Sequence, residues 1–491
     1  MDVAAPLDAE TCYRAYETRD ARFDGRFFVA VRTTGIFCRP VCPARTPKRR
    51  NVEFHASAAA AFAAGFRPCL RCRPERAPRA FDAQSAGSSL VAHALEAIES
   101  GALDTGNLGD LAARIGVTDR HLRRLFAEHL GATPVEVAQA RRALFARQLI
   151  EETRLPMTEV AFAAGYSSVR RFNAAIAAAY GQAPGAMRRA LPDAAIGEGA
   201  GAIRLRLGTL DGPGFDRLLA FYRARLFAGV ETVEGLRYAR AIGTGDGAGW
   251  FGVEQSGAHA MLAVRTPDPR SLPRIVARVR RMFDLSGPHA RIAAHLRGDP
   301  LLAPALAEGA PRVPCAWDPF ELAVRAILGQ QVSVAAATTL AGRLTRRFGL
   351  PFEGPGGIDR LFPAGAVLAG LAVEDLASLG IVRARAASII ALARHVEATP
   401  GWRDRYTGLE ACEAGLTALP GIGPWTAQYV AMRGFGEPDA FPAADLGLLK
   451  AARALGIADT PRELARHAER WRPWRSYAAQ ALWNYNPRDA A

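Results

Sequence analysis

LPGIGPWTAQYV, residues 419–430, decides how the C-terminal half of this chain reads. Two glycines, Gly421 and Gly423, bracket one apolar residue between two helical patterns. A glycine turn of this kind leaves backbone N–H groups free at a helix start, with no side chain in the way. The helix dipole adds positive potential there, so the turn suits an anion such as a DNA phosphate. The stretch therefore predicts a helix–hairpin–helix. Trp425 and Tyr429 follow at i, i+4 on one helix face. FPAADLGL, residues 441–448, then places one carboxylate, Asp445, just beyond the hairpin.

Working outward, the chain has 491 residues, too many for one core, and about three or four domains are expected. The formal charge is +14, and arginine dominates the basic residues. That balance favours a nucleic-acid partner, although an arginine-rich coding bias would produce it as well. No apolar run approaches the ~20 residues of a membrane span, so no membrane partner is expected. The first residues, MDVAAPLDAETC, lack a basic start and an apolar core, and no signal peptide is expected. Seven cysteines include two close pairs, which points to metal thiolates in a reducing, cytoplasmic compartment.

Residues 26–38, RFFVAVRTTGIFC, alternate as a strand or hairpin. Cys38 and Cys42 follow, then Cys69 and Cys72, joined by a loop and a short helix over residues 57–65. Two such pairs can close a tetrahedral zinc site. By spacing alone a purely structural zinc knuckle is the commoner case. The surrounding Arg39, Arg45, Lys48, Arg49, Arg50, Arg67, Arg71 and Arg73 would bring DNA phosphate close. Zinc-bound thiolate is also the nucleophilic form of sulfur.

Residues 79–88 read as a linker, and residues 89–190 as helix with an internal repeat. LGDLAARIGVTDRHLRRLFAEHLGATP (108–134) parallels MTEVAFAAGYSSVRRFNAAIAAAYGQAP (157–184). Each copy has a helix ending in glycine, Gly116 or Gly165, then a Ser/Thr-rich cap, a second helix, and Gly-x-x-Pro. This is helix–turn–helix grammar. The second helices should begin near Asp119 and Ser168. Arg120, His121, Arg123, Arg124, Val169, Arg170, Arg171 and Asn173 are the candidates for groove or phosphate contacts. A helical bundle without a DNA role is the plain alternative.

A small-residue linker covers residues 191–202. Beyond it, IRLRLG, a helix near residues 215–227, three strands and a helix near residues 273–283 form a small α+β unit. From Pro288 onward the patterns are helical almost throughout.

Three resemblances follow from these motifs. FVAVRTTGIFCRPVCPAR with NVEFHASAAAAFAAGFRPCLRCRPE resembles the N-terminal domain of Ada-type adaptive-response proteins. That resemblance implies that Cys38 accepts a methyl group from a DNA methylphosphotriester, with Cys42, Cys69 and Cys72 as the other zinc ligands. The duplicated unit resembles the tandem DNA-binding domain of AraC-type regulators. WDPFELAVRAILGQQVSVAAATTLAGRL, the hairpin, DAFPAADLGL and ERWRPWRSYAAQALW together resemble AlkA-type 3-methyladenine DNA glycosylase II. This implies Asp445 as the catalytic carboxylate. It implies Trp425, Tyr429 and Trp483 as base-pocket aromatics, and Gln331 at the position of the wedge that fills the duplex after base flipping. Trp425 stands where bifunctional relatives carry a lysine, so base release without strand cleavage is expected. Two departures stand out: Gln331 replaces a leucine, and Asn484 replaces an aromatic. No Pro-Cys-His-Arg motif for O6-methylguanine repair occurs, and Cys12, Cys315 and Cys412 are expected to be bystanders.

The expected architecture is multidomain. It comprises a small α+β zinc domain (1–78), an all-α tandem helix–turn–helix domain (89–190), an α+β subdomain (202–287) and an all-α helix–hairpin–helix glycosylase domain (288–491). The expected partners are double-stranded DNA and RNA polymerase. The expected setting is the bacterial cytoplasm at the nucleoid, as a monomer, because both helix–turn–helix copies lie in one chain. The competing readings are a transcription factor with a non-catalytic glycosylase-like module, and a glycosylase whose N-terminal domains only target it.

Overall fold

A computed structural model describes residues 7–78, 86–188, 201–210, 214–244, 247–402, 406 and 408–485. The linker expected at residues 79–88 lies outside the described residues up to residue 85, and its last three residues already belong to a helix. Of the second linker, only Gly201 and Ala202 are described. The chain forms two compact units. One comprises Met1–Gly208, Met261–Arg280 and Leu285–Arg291; the other comprises Thr209–Ala260, Arg281–Asp284 and Ile292–Ala491.

The first unit opens with the helix Ala9–Glu17, capped by the Asp8 carboxylate on the Glu10 and Thr11 N–H groups. The expected hairpin is β1 (Phe28–Val31) and β2 (Ile36–Cys38), antiparallel, with Val29 opposite Cys38. Strand β3 (Val52–His55) pairs antiparallel with β1, and β4 (Arg67–Pro68) pairs parallel with β2. The sheet order is therefore β3-β1-β2-β4. Both cysteine pairs thus leave neighbouring strands, and their sulfurs join the buried cluster of Tyr16, Phe27, Val29, Val31 and Val52. The helix Ala58–Ala63 starts where Ser57 Oγ accepts from Ala60 N–H.

The helical repeat follows its local signals closely. In the first copy Asn107 and Asp110 form a capping box for Leu108–Ile115. That helix ends at Gly116 with φ +79°, and Thr118 caps Asp119–Leu130. In the second copy Gly165 takes φ +90° and Ser168 caps Val169–Tyr180. The long helix Pro134–Glu152 joins the copies, with Thr133 and Glu136 boxing its start and proline at its first turn.

The second unit carries the helix Gly214–Arg223 and an antiparallel ladder of Glu231–Glu234, Arg237–Thr244 and Gly247–Ser256. The first of these strands was not legible in the sequence, because three of its residues are half-buried, Glu234 is exposed, and they show no apolar alternation. Helices then dominate: Pro319–Leu328, Val334–Phe348, Arg383–Ala398, Leu409–Thr417, Pro424–Val430, Leu446–Ala454 and Arg475–Asn484. They share one core that includes Ile327, Leu344, Ile389, Leu416, Val430, Leu448 and Leu482. Among the described residues, no helix is long and apolar enough to cross a membrane.

Candidate functional sites

The sulfurs of Cys38, Cys42, Cys69 and Cys72 all lie within 4.8 Å of one another, with Cys42 and Cys69 4.0 Å apart. Four Zn–S bonds of about 2.3 Å at tetrahedral angles need sulfurs spaced by about 3.8 Å, so the cluster fits zinc after a small contraction. All four side chains are buried, and exposure does not single out one of them. Arg39 N–H donates to Cys72 Sγ at 3.3 Å.

The basic surround is smaller than the sequence implied. Arg39 is drawn inward, paired with buried Asp24 and donating to Cys72 O. Arg73 bonds to Glu151 at 2.8 Å and reaches Glu152 at 3.4 Å. Arg49 lies over the Tyr13 and Phe54 rings. Arg45, Lys48, Arg50, Arg67 and Arg71 are exposed.

The Cys72 loop is joined to the long helix Pro134–Glu152 by an ion-pair node. Arg147, fully buried, pairs with Glu75 and donates to Cys69 O at 3.5 Å. Glu152 accepts from Arg73 and Arg76 on one oxygen, and from Gln148 and Arg206 N–H on the other. On the two recognition helices Arg120, Arg123, Arg124, Arg170, Arg171 and Asn173 are all exposed, while Leu122, Phe126, Phe172 and Ile176 face inward. His121 and Val169 are half-buried. Arg123 is steadied by Asp119 at 2.8 Å, four residues earlier.

The hairpin forms between Leu409–Thr417 and Pro424–Val430, and the latter continues as a π-turn over Ala431–Phe435. Its two glycines differ in what they require. Gly421 has φ +78°, and a Cβ there would sit 2.0 Å from Ser388 Oγ. Gly423 has φ −85°, and a Cβ would meet open space. Gly421 is thus demanded by the fold, and Gly423 leaves the outer approach to the turn clear. Gln330 ties the neighbouring helix to this turn, donating to Gly421 O at 2.8 Å.

Asp445 caps Leu446–Ala454 as expected, taking Leu448 N–H at 3.0 Å on Oδ1. It does more than cap. Trp483 Nε1 donates to Oδ1 at 2.9 Å, and Trp425 Nε1 donates to Oδ2 at 3.1 Å. Two indoles, 20 and 38 residues away, hold the carboxylate on both oxygens. Gly447 makes room: a Cβ there would stand 3.3 Å from Trp483 Cδ1. Trp425 stacks on Tyr429 at 5.3 Å with the rings 11° apart.

These groups line one cavity of about 670 Å³. It takes in Phe221, Arg325, Arg433, Val332, Trp425, Tyr429, Asp445, Gln480, Trp483 and Asn484. Gln331 is not among its lining residues. It sits exposed at the turn before Val334–Phe348 with φ +54°. The guanidinium of Arg433 lies under the aromatic wall, 5.4 Å from Tyr429 and 4.9 Å from Trp483. Burial pushes its pKa down. No lysine lines the cavity; Lys450, the one lysine beyond residue 200, is exposed. Sequence reasoning missed Arg433, Gln480 and Gly447. A glycine in the first turn of a helix, beside the key carboxylate, was the signal available for the last.

Models of four known families match in order. The metal binding domain of Ada matches residues 11–75, and a helix-turn-helix domain matches residues 111–190. The AlkA N-terminal domain matches residues 204–318, and the HhH-GPD superfamily of base excision DNA repair proteins matches residues 324–475. The probable bifunctional transcriptional activator/DNA repair enzyme AlkA of Mycobacterium tuberculosis is 42% identical, over 97% of this chain and 96% of that protein. DNA-3-methyladenine glycosylase 2 of Escherichia coli is 35% identical, over 54% of this chain and 92% of that protein. The solved 3-methyladenine DNA-glycosylase from Archaeoglobus fulgidus covers 57% of this chain and 96% of its own, with a TM-score of 0.51 and 23% identity, a likeness of fold.

Proposed function

The chain belongs to the family of bifunctional transcriptional activator/DNA repair enzymes of the AlkA type, and from that premise we propose how its residues divide the work. It is a zinc-binding, DNA-binding protein of alkylation repair and transcription regulation. Its work is assigned to four domains: 1–78 for methyl acceptance, 89–190 for promoter binding, and 202–287 with 288–491 for base excision.

Zinc, held by Cys38, Cys42, Cys69 and Cys72, keeps these sulfurs deprotonated at neutral pH. Cys38 is the methyl acceptor. The assignment rests on Cys38 standing at the acceptor position of the Ada-type cysteine pattern, and the match to the metal binding domain of Ada over residues 11–75 supports it. Its sulfur attacks the methyl carbon of a phosphotriester: the S–C bond forms, the C–O bond breaks, and the electron pair stays on the phosphate oxygen. The site loses one negative charge, so repulsion toward DNA falls and binding by Arg120, Arg123, Arg124, Arg170, Arg171 and Asn173 strengthens. The activated protein acts on RNA polymerase, as a monomer in the bacterial cytoplasm at the nucleoid.

In the C-terminal half, Gly421 and Gly423 present the hairpin N–H groups to a phosphate, and Gln331 fills the gap left by the flipped base. Trp425, Tyr429 and Trp483 wall the base pocket. Asp445 stabilises the positive charge that develops on the sugar and orients the attacking water. The observation that carries this reading is the Asp445 carboxylate, held by two indole N–H groups in the lining of a cavity with aromatic walls. An alkylated purine such as 3-methyladenine is the substrate, and the absence of a lysine in the cavity leaves an abasic site with the strand intact.

Incubation with a methylated duplex tests it. Free alkylpurine should appear, with strand breaks only after alkali. Breaks without alkali would overturn the monofunctional assignment, and no released base would leave a non-catalytic DNA-binding module in its place.

A further inference from the structure

The segment between the helices Pro319–Leu328 and Val334–Phe348 divides its side chains three ways. Gly329, Val332, Ser333 and Val334 line the cavity that Asp445, Trp425 and Tyr429 also line. Gln330 turns to the hairpin, where its Nε2 donates to Gly421 O at 2.8 Å and to Thr426 Oγ1 at 3.3 Å. Gln331 does neither. It is exposed, it is absent from the cavity lining, and among the described residues nothing hydrogen-bonds its amide. Its backbone is left-handed, at φ +54°, a region that side chains seldom occupy without cause. Glycine would form this turn without strain. The fold therefore gains nothing from a glutamine here. Its amide is kept free at a point flanked in the chain by the hairpin contact on one side and the cavity wall on the other.

We propose that Gln331 is a surrogate pairing partner: once the damaged base has left the helix, the Gln331 amide enters the gap and hydrogen-bonds the base left opposite, whichever of the four it is. The inference rests on the base-excision reading and deepens it to the strand that carries no damage. An apolar plug fills the same gap but leaves the orphaned Watson–Crick edge without partners and away from water, which is costly. A glutamine amide carries a C=O acceptor and an NH2 donor side by side. Each orphan base carries a matching pair of neighbours: N6–H and N1 on adenine, N4–H and N3 on cytosine, N3–H and O4 on thymine, N1–H and O6 on guanine. Half a turn of the amide about its terminal bond serves either order. Such a partner suits a pocket that takes alkylated purines of both kinds. 3-Methyladenine leaves thymine opposite, 7-methylguanine leaves cytosine, and the amide pairs with each.

The test places one 7-methylguanine in a duplex and varies only the base opposite it: cytosine, thymine, adenine or guanine. Single-turnover base release at saturating protein is measured for the wild type, Gln331→Leu and Gln331→Glu. Dividing each rate by that of Gln331→Leu on the same duplex removes what the duplex itself contributes to opening. The wild-type quotient should be on the order of tenfold on all four duplexes. The carboxylate of Gln331→Glu can only accept, and guanine alone offers two adjacent donors, N1–H and N2–H2. The Gln331→Glu quotient should therefore be highest opposite guanine, while any loss from the added negative charge is common to the four. A wild-type quotient near one on all four duplexes, or above one opposite a single base only, overturns the proposal and leaves the excision reading intact. So does a Gln331→Glu quotient that is the same on all four. A wild type that releases no base sinks both.

Discussion

Replacing Asp445 by asparagine separates the two jobs that this residue performs. As a helix cap, asparagine serves about as well as aspartate, and Oδ1 can keep the Leu448 and Trp483 donors. The second oxygen becomes an NH2 group facing Trp425 Nε1, so that one hydrogen bond is lost. Stability should therefore change little. Catalysis should change a great deal. A carboxylate about 4 Å from a full positive charge contributes about 4 kcal/mol at an effective dielectric of about 20. At about 1.4 kcal/mol per decade this is roughly a thousandfold in rate. The assay is single-turnover release of one alkylated purine from a defined duplex at saturating protein, with thermal unfolding and duplex affinity measured alongside. A rate within about tenfold of wild type would refute the electrostatic role. A thousandfold loss accompanied by a large drop in melting temperature would refute the claim that capping and catalysis are separable here.

The two hairpin glycines make a contrasting pair. Gly421→Ala places a methyl group on Ser388 at a positive φ, and should lower the unfolding free energy by about 1–3 kcal/mol. Gly423→Ala should leave stability nearly unchanged and weaken duplex binding, measured by fluorescence anisotropy. In the first unit, purified protein should hold one zinc, and Cys38→Ala should stop methyl transfer from phosphotriester DNA; methyl label persisting in that variant would reassign the acceptor. Glu75→Gln should cost about 3–5 kcal/mol in denaturant unfolding, because it strands the buried Arg147 guanidinium, and Arg147→Met in the same chain should restore much of it.

Features written in local chemistry were legible from the sequence. Cysteine spacing, the turn glycines Gly116 and Gly165, and the caps Thr118 and Ser168 all act within a few residues, and each shapes the chain as read. What escaped depends on long-range packing. Nothing in the spacing of Trp425, Asp445 and Trp483 says that two indole N–H groups converge on one carboxylate. Arg39 and Arg73 look like phosphate ligands in a basic run, yet the buried Asp24 and the half-buried Glu151 claim them. Gln330 and Gln331 are indistinguishable in sequence. The fold commits the first to the hairpin and leaves the second exposed.

The node around Arg147 and Glu152 bears on how such a protein is assembled in evolution and taken apart in the laboratory. A zinc domain tethered only by a linker can be exchanged or lost without harm to its neighbour. Here the carboxylate that neutralises a buried arginine of the long regulatory helix is Glu75, on the other side of that linker. A fragment starting at Ala86 would bare an uncompensated guanidinium, and should resist expression unless Arg147 is also changed. The gene segment encoding the sensor and the one encoding the regulator are thereby bound to be inherited as a pair.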